Sequence, residues 1–386
     1  MAATEPVNPD PGLWLPLLSA YELTTLPGDT VLRGRLRDGL AVDSPEVRAA
    51  LEAWPAQAHL SADARGVDVV LVYQIKSAPP ARLALHVVLL LATLMTTLGS
   101  GALMAGVDPF GTRLLEFGEV VFPYPSRLDF GRLWVGASFA FPFLGVLLAH
   151  EMSHVWAARV HGVRASLPYF IPFPPYFSVI GSLGAFIRLK GPTVQRRTLF
   201  DIGASGPIAS FLVSIPLLAV GLMRSQTTVG PASLATPFVI RFAGEPIWLG
   251  NGLVTHLLAS LFGPAAVGET LVLLDPLALA GWLGLFVTAL NLLPLGQLDG
   301  GHVLYAMGQR GQVVTARLFL LMLVPMGFLW WGWWAWAALV YVIHRGRVAH
   351  PPVIQPAPDI GRVRSVLGWL LIATFFLTLV PVPIQL

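Results

Sequence analysis

Long apolar runs without charged residues dominate the chain after residue 86. The helices that these runs predict cover 86–104, 133–160, 199–222, 276–293 and 366–380, each about the length that crosses a bilayer. The run 313–343 is too long for one upright span and predicts either a tight hairpin or one bent helix. The pattern therefore predicts an all-α polytopic membrane protein with about six or seven transmembrane helices.

The first part of the chain follows a different pattern. Residues 1–26 are rich in proline and weakly patterned, so we expect a mobile arm. Residues 27–77 combine strand-like, Val-rich stretches with a helix start at Ser44, where a capping hydroxyl precedes a proline and a glutamate. We therefore expect a small cytosolic α+β accessory domain, then a membrane core over 82–310 and C-terminal transmembrane helices over 311–386.

One apolar stretch between the second and third predicted helices cannot be helical. Residues 167–176 contain four prolines, which remove backbone donors and block a helix. Residues 181–187 are short, apolar and strand-like. Backbone of this kind at membrane depth must be buried in protein or line a cavity, because lipid cannot satisfy its amides. We expect a membrane-associated β-hairpin or edge strand, whose open edge could pair with an extended peptide; a simple connecting loop is the alternative.

Composition and charge support the membrane assignment. The chain has 386 residues, is 55% hydrophobic and only 12% charged, and has a mean hydropathy of +0.70, whereas soluble domains are about one quarter charged. The net charge of +3 comes from Lys and Arg spread over loops, which indicates membrane topology rather than nucleic-acid binding. The side with more of these residues should face the cytoplasm, together with the N-terminal domain.

The predicted helix 133–160 carries two histidines four residues apart, His150 and His154, and Glu151 directly after the first. Positions i and i+4 share one helix face, so both imidazoles can reach one ion. Zinc suits two such nitrogens with a third protein ligand and a water. Glu151 lies about 100° around the helix from His150, where it can take a proton from that water. Histidines that merely satisfy hydrogen bonds are the alternative, but this trio is costly in an apolar helix without a task.

The chain contains no cysteine, so a third zinc ligand must be histidine or carboxylate. Asp201 and Asp275 begin predicted helices, where the helix dipole accounts for a carboxylate. Asp299 differs, because Asn291 and Pro294 interrupt its helix and two glycines follow it. Such a broken segment can turn a carboxylate back toward a site at membrane depth. We therefore expect Asp299 to be the third ligand, and an ordinary Asp-Gly turn is the alternative.

These two motifs together resemble the site-2 protease family of intramembrane zinc metalloproteases, peptidase family M50. The motifs are residues 150–154 and 291–300, and residues 181–185 and 204–207 also look like that family's intervening elements. The N-terminal module, the run 296–302 and the apparent lack of a PDZ domain are similar to the EGY-like branch, which includes chloroplast proteases and bacterial relatives.

The resemblance implies a zinc metalloendopeptidase that cuts membrane protein substrates within or near their transmembrane helices. It implies Zn2+ held by His150, His154 and Asp299, with Glu151 as general base and acid. It implies that Asn291 positions the substrate or stabilises the oxyanion. It also implies that an edge strand binds the unwound substrate, and the strand consists of Gly181, Ser182, Leu183, Gly184, Ala185 and Phe186.

Two other functions are compatible with a metal site in a membrane. A zinc transporter predicts further histidines and carboxylates along a path, and the predicted spans contain almost none beyond those of the site. A catalytically inactive scaffold would not need Glu151. We expect a multi-pass protein of a bacterial inner membrane, with its N-terminus in the cytoplasm. Its expected partners are the lipid bilayer and a transmembrane substrate, without nucleic acid; the substrate's identity, a prior cleavage and the oligomeric state stay open.

Overall fold

A computed structural model describes the chain in segments separated by short gaps. The described residues are 11–26, 29–54, 57–63, 66–73, 83–117, 120–190, 193–230, 236–265, 270–343, 346, 349–351, 353–354 and 359–385.

The N-terminal domain is a four-stranded antiparallel sheet with one helix. Its elements are β1 (Leu18–Leu26), β2 (Asp29–Leu36), α1 (Pro45–Glu52), β3 (Gln57–Asp63) and β4 (Gly66–Tyr73), with sheet order β1-β2-β4-β3. Ser44 is the residue before α1 and Pro45 its first residue, as the sequence predicted. The expected capping bond of the Ser44 hydroxyl is not formed, because its oxygen accepts from the Ala41 N–H at 2.9 Å instead.

The structure corrects the expected arm over residues 11–26, and residues 1–10 lie outside the described residues. Trp14 is fully buried in the core of the N-terminal domain, and β1 pairs with β2 along its length. Most β1 side chains are exposed because β1 is an edge strand held by its backbone. An edge strand of this kind has no buried face to give it an alternating pattern, so its sequence does not distinguish it from an arm.

The rest of the chain consists of helices and three small sheets. In chain order its elements are α2 (Leu83–Met104), β5 (Arg113–Phe117), β6 (Val120–Tyr124), α3 (Phe130–Leu133), α4 (Ala137–Val160), β7 (Tyr169–Pro172), β8 (Ser182–Phe186), α5 (Arg196–Arg224), β9 (Gln226–Val229), β10 (Phe238–Phe242), β11 (Glu245–Leu249), α6 (Leu253–Phe262), β12 (Thr270–Leu273), α7 (Pro276–Asn291), α8 (Asp299–Met307), α9 (Gln309–Leu329), α10 (Gly332–Ile343), α11 (Arg362–Thr378) and β13 (Ile384–Gln385).

Four helical segments of the described chain are long and apolar enough to cross a bilayer. They are α2, the segment Phe130–Val160 (which contains α4), α5, and α9. Helices α7 and α10 are apolar but shorter. Large apolar side chains such as Leu212, Leu321 and Phe328 are exposed on the outside of these helices. Because water would disfavour so much exposed apolar surface, the chain is a membrane protein.

The apolar run 313–343 forms two helices rather than one bent helix. Helix α9 ends at Leu329 and α10 begins at Gly332. The indole Nε1 of Trp334 donates a hydrogen bond to the Val324 carbonyl at 3.0 Å, so the two helices fold back on each other. Of the two predicted alternatives, the tight hairpin is therefore the observed one.

A five-stranded sheet at one end of the helices was not anticipated. Its strand order is β13-β11-β10-β12-β9, and Phe238 and Ile240 of β10 share a hydrophobic core with Leu279 of α7. The all-α description is therefore incomplete. Each strand has at most five residues, which is too short for a two-residue alternation to stand out in sequence.

Helix α5 lies at the centre of the bundle, in contact with α4, α7 and α8. Glycines let these backbones approach closely, as is common where membrane helices pack. A Cβ on Gly221 would lie 2.0 Å from the backbone nitrogen of Ala278, and one on Gly281 would lie 2.4 Å from that of Leu218. The close packing of α4, α5, α7 and α8 positions the polar groups described next.

Candidate metal centre

Two imidazoles and one carboxylate meet inside the helical bundle. Oδ2 of Asp299 lies 3.1 Å from Nε2 of His150 and 3.4 Å from Nε2 of His154, and the two Nε2 atoms are 3.1 Å apart. The three side chains offer donor atoms that all lie within 4.8 Å of one another. The structure thus brings the histidine pair of α4 together with an aspartate 149 residues away in the chain.

Asp299 reaches the site because α7 ends early. Helix α7 stops at Asn291, the chain crosses an irregular segment, and α8 begins at Asp299 itself. A Cβ on Gly300 would lie 2.0 Å from the Leu292 carbonyl oxygen, and one on Gly301 would lie 2.4 Å from that of Gly296. The two glycines are therefore helical and needed for close packing, so the alternative of an ordinary Asp-Gly turn is not the observed one.

Gly206 of α5 keeps space open beside the converging donor atoms. A Cβ at this position would lie 2.1 Å from Nε2 of His154 and 2.7 Å from Nε2 of His150. Any other residue would fill the place that the imidazoles face. Two imidazole nitrogens and one carboxylate oxygen are a donor set typical of zinc, so the residues present fit a zinc ion.

The ring of His154 is oriented by a backbone carbonyl. Its Nδ1 lies 2.7 Å from the carbonyl oxygen of Ile202. A carbonyl can only accept a hydrogen bond, so Nδ1 carries the proton. In the neutral ring this leaves the Nε2 lone pair facing the space that His154 shares with Nε2 of His150 and Oδ2 of Asp299, which is the tautomer that a metal ligand requires.

A chain of hydroxyls orients His150 in the same way. The Thr288 hydroxyl donates to the Gly284 carbonyl at 2.7 Å, and its oxygen lies 2.8 Å from Oγ of Ser210. Oγ of Ser210 also lies 3.1 Å from the Gly206 carbonyl oxygen. The single Ser210 proton therefore goes to that carbonyl or to Thr288, and the Ser210 oxygen accepts from Nδ1 of His150, 3.1 Å away. Both histidines thus present Nε2 to the site.

Sequence reasoning missed the roles of Ser210 and Thr288. The available signal was that both hydroxyls lie in otherwise apolar helices. That signal is weak, because serine and threonine often bond back to their own helix backbone in such segments.

Glu151 is buried but is not part of the three-residue ligand group. Its carboxylate accepts a hydrogen bond from the backbone N–H of Ile187, the residue after β8. This placement agrees with the expected position on α4 beside, rather than within, the ligand face. The carboxylate therefore connects the histidine helix to the strand that was expected to hold substrate.

Asn291, the last residue of α7, lies at the edge of the same site. Its side-chain Nδ2 is 3.3 Å from Nε2 of His150. The amide is therefore close enough to contact a group bound at the site.

The expected substrate segment forms β8, and Gly181 lies directly before it with φ +76°. The proline-rich segment before it supplies the partner strand β7, in which Phe170 pairs with Ala185. Among the described residues β8 pairs with β7 alone, so its second edge has no strand partner. The side chains of Leu183 and Phe186 are exposed.

We expect Ser210→Ala to weaken zinc binding, because it removes the group that holds the His150 ring. Loss of such a partner typically lowers metal affinity by roughly 10–100-fold. Ser214→Ala is the matched control, since Ser214 is also buried in α5 but its Oγ has no hydrogen-bond partner among the described residues. The zinc dissociation constant would be measured by competition with a chelator; equal weakening by both substitutions would contradict the assigned role of Ser210.

Comparison with known proteins identifies related chains. The family model described as peptidase family M50 matches residues 138–329, which include the histidine pair and Asp299. The chain is 29% identical over 314 residues to "Probable zinc metalloprotease EGY1, chloroplastic" of Arabidopsis thaliana, covering 80% of this chain and 55% of the relative. It is 31% identical over 245 residues to the protein of the same name from Oryza sativa subsp. japonica, covering 64% and 40%.

The chain thus spans about half the length of these curated relatives or less, and no solved structure matches it significantly. The matched residues contain both sequence motifs and the helices that carry them. On these grounds the chain belongs to peptidase family M50, in its EGY-like branch.

Proposed function

We propose that this chain is a zinc metalloendopeptidase that hydrolyses peptide bonds within or near transmembrane helices of other proteins. His150, His154 and Asp299 hold Zn2+. When bound, zinc polarises the scissile carbonyl and lowers the pKa of its water toward about 7. The observation that carries the proposal is the convergence of these three groups, with Glu151 beside them, inside an apolar bundle.

Glu151 acts as general base and then as general acid. Its buried carboxylate is held by the Ile187 N–H next to the ligand face. From there it accepts a proton from the attacking water and passes that proton to the nitrogen of the leaving amine. A carboxylate fixed by one backbone donor keeps its second oxygen available for this transfer.

Asn291 stabilises the substrate carbonyl. Its amide lies beside His150 at the edge of the site, where Nδ2 can donate to the oxygen on which negative charge develops. A donor fixed at such a position contributes more in the transition state than in the ground state.

The substrate binds as an added strand on the free edge of β8. Strand β8 has no strand partner on that edge among the described residues, and an extended peptide can pair with such an edge. The Gly184 N–H donates to Oγ of Ser182, so a bound peptide would have to replace that contact or pair on either side of it. Because the Ile187 N–H contacts Glu151, a peptide along this edge runs toward the base. A substrate helix must unwind locally before it can pair, which places cleavage where helices are weak or broken.

The surroundings of the site support proteolysis over the two other functions. The described residues contain a single group of three His, Asp, Glu or Cys side chains that could hold a metal, so they give no support to a transport path. A scaffold without catalysis leaves the buried Glu151 unexplained. With the four long helices, the shorter α7 and α11 make six spans in this proposal, and α10 makes a seventh if the α9–α10 hairpin crosses the bilayer twice.

The N-terminal domain and the end of α4 lie on the same side of the bundle, because Asp29 pairs with Arg164 at 2.6 Å. We propose that this side faces the cytoplasm, or the corresponding compartment if the membrane is that of an organelle, given the excess of basic residues in the loops there. The expected bacterial inner membrane finds no support in the comparisons, whose named relatives are chloroplastic plant proteins.

Glu151→Gln should abolish cleavage and keep zinc, because glutamine retains the size and the hydrogen bond of glutamate but cannot take a proton. Removal of a general base costs typically 10²–10⁴-fold in rate. The test compares cleavage of a model membrane substrate and zinc content per chain for the wild type and the variant. Cleavage at the wild-type rate would show that the base is misassigned.

A disulfide experiment locates the substrate. The chain has no cysteine, so single cysteines can be placed in the Glu151→Gln background without interference. With a cysteine near the cut site of a model transmembrane substrate, Leu183→Cys should cross-link and Leu212→Cys should not. These two positions are similarly exposed, at 61% and 64%. Equal cross-linking at both would contradict strand addition to β8.

A further inference from the structure

The carboxylate of Asp201 joins three helices at one end of the bundle. Its Oδ1 accepts from Nε of Arg364 and its Oδ2 from Nη2 of Arg364, both at 2.7 Å. Oδ2 also lies 2.8 Å from Nε2 of His161, the residue directly after α4. Asp201 belongs to α5 and Arg364 to α11, so these contacts, named here the Asp201 bridge, tie α4, α5 and α11 together.

The helix dipole does not account for Asp201. Helix α5 begins at Arg196 rather than at about residue 199, so Asp201 lies in its second turn. The effect of the dipole fades beyond the first turn. The sequence-based explanation of this carboxylate is therefore replaced by its paired contacts.

The Asp201 bridge lies next to the group that orients a proposed metal ligand. The residue after Asp201 is Ile202, whose carbonyl accepts from Nδ1 of His154 at 2.7 Å. His161 follows His154 on α4 by about two helical turns. The bridge thus fixes α4 against α5 close to the contact that sets the His154 ring.

The geometry of the bridge restricts movement of α5. Arg364 binds the carboxylate through two parallel hydrogen bonds, an arrangement that defines both distance and orientation. His161 approaches the same oxygen from α4, so the carboxylate cannot rotate without losing a contact. A shift of Asp201 would move the adjoining Ile202 carbonyl with it, because the two share one turn of helix.

We propose that Asp201 is a positioning residue for the metal centre. Through the Asp201 bridge it keeps the Ile202 carbonyl against His154, and so keeps Nε2 of His154 directed at the ion. This inference rests on the proposed zinc site. It differs from a simple stabilising ion pair because it requires an effect on zinc affinity in protein that is folded.

The test is the zinc dissociation constant of purified full-length protein, measured by chelator competition. Asp201→Asn removes the charge and one acceptor while keeping the shape, and should weaken zinc binding on the order of tenfold, the lower end of the effect of groups that orient metal ligands. Asp359→Asn is the matched control. It breaks the pair that Asp359, 97% exposed, forms with Arg196 at 3.1 Å near the same end of α5, and should leave zinc affinity unchanged.

Arg364→Lys provides a milder change that keeps the charge but loses the paired hydrogen bonds, and should give a smaller loss of zinc affinity. Arg364→Lys also provides the test of the inference if Asp201→Asn does not fold. Combining Asp201→Asn with Arg364→Gln should weaken zinc little more than Asp201→Asn alone, because the residues act as one unit. Wild-type affinity in folded Asp201→Asn or in Arg364→Lys would overturn the inference. Absence of zinc binding by the wild type would instead overturn the proposed function, and this inference with it.

Discussion

The structure depends on one constraint: two imidazoles and two carboxylates must be satisfied inside a bundle whose outer surface is apolar. Polar groups at such a depth are costly unless each has a partner. The features around His150, His154 and Asp299 meet that requirement. Gly206 leaves room at the donor atoms, the Ile202 carbonyl and the Ser210 hydroxyl hold the rings, and the early end of α7 lets Asp299 approach.

In the proposed function, the general base and the substrate-binding strand share a backbone connection. Ile187 follows β8 and its N–H holds Glu151, so the proposed base is positioned by the same segment whose second edge has no strand partner among the described residues. In this proposal substrate binding and chemistry are coupled by proximity. The proposed strand addition would also explain why a non-helical segment lies among helices, since a strand with an open edge can accept an added strand.

The sequence predicts those residues of the candidate site that follow a helical spacing or that remain once other possible ligands are excluded. His150, Glu151 and His154 follow from helical spacing, and Asp299 from the absence of cysteine and the broken helix around it. The parts it missed depend on tertiary contacts. Ser210 and Thr288 resemble ordinary helix hydroxyls until their neighbours are known, and Asp201 resembles a helix-start residue until Arg364 packs against it. Edge strand β1 and the five-stranded sheet lack the length or the alternation that marks a strand.

The most direct test of the metal centre is X-ray absorption at the zinc edge of the purified protein, combined with zinc content per chain. The account predicts one zinc per chain bound by two imidazole nitrogens and carboxylate or water oxygen at about 2.0–2.2 Å. It predicts that the bound zinc is lost in Asp299→Ala. Stoichiometric zinc with an unchanged spectrum in Asp299→Ala would contradict the claim that this aspartate completes the site.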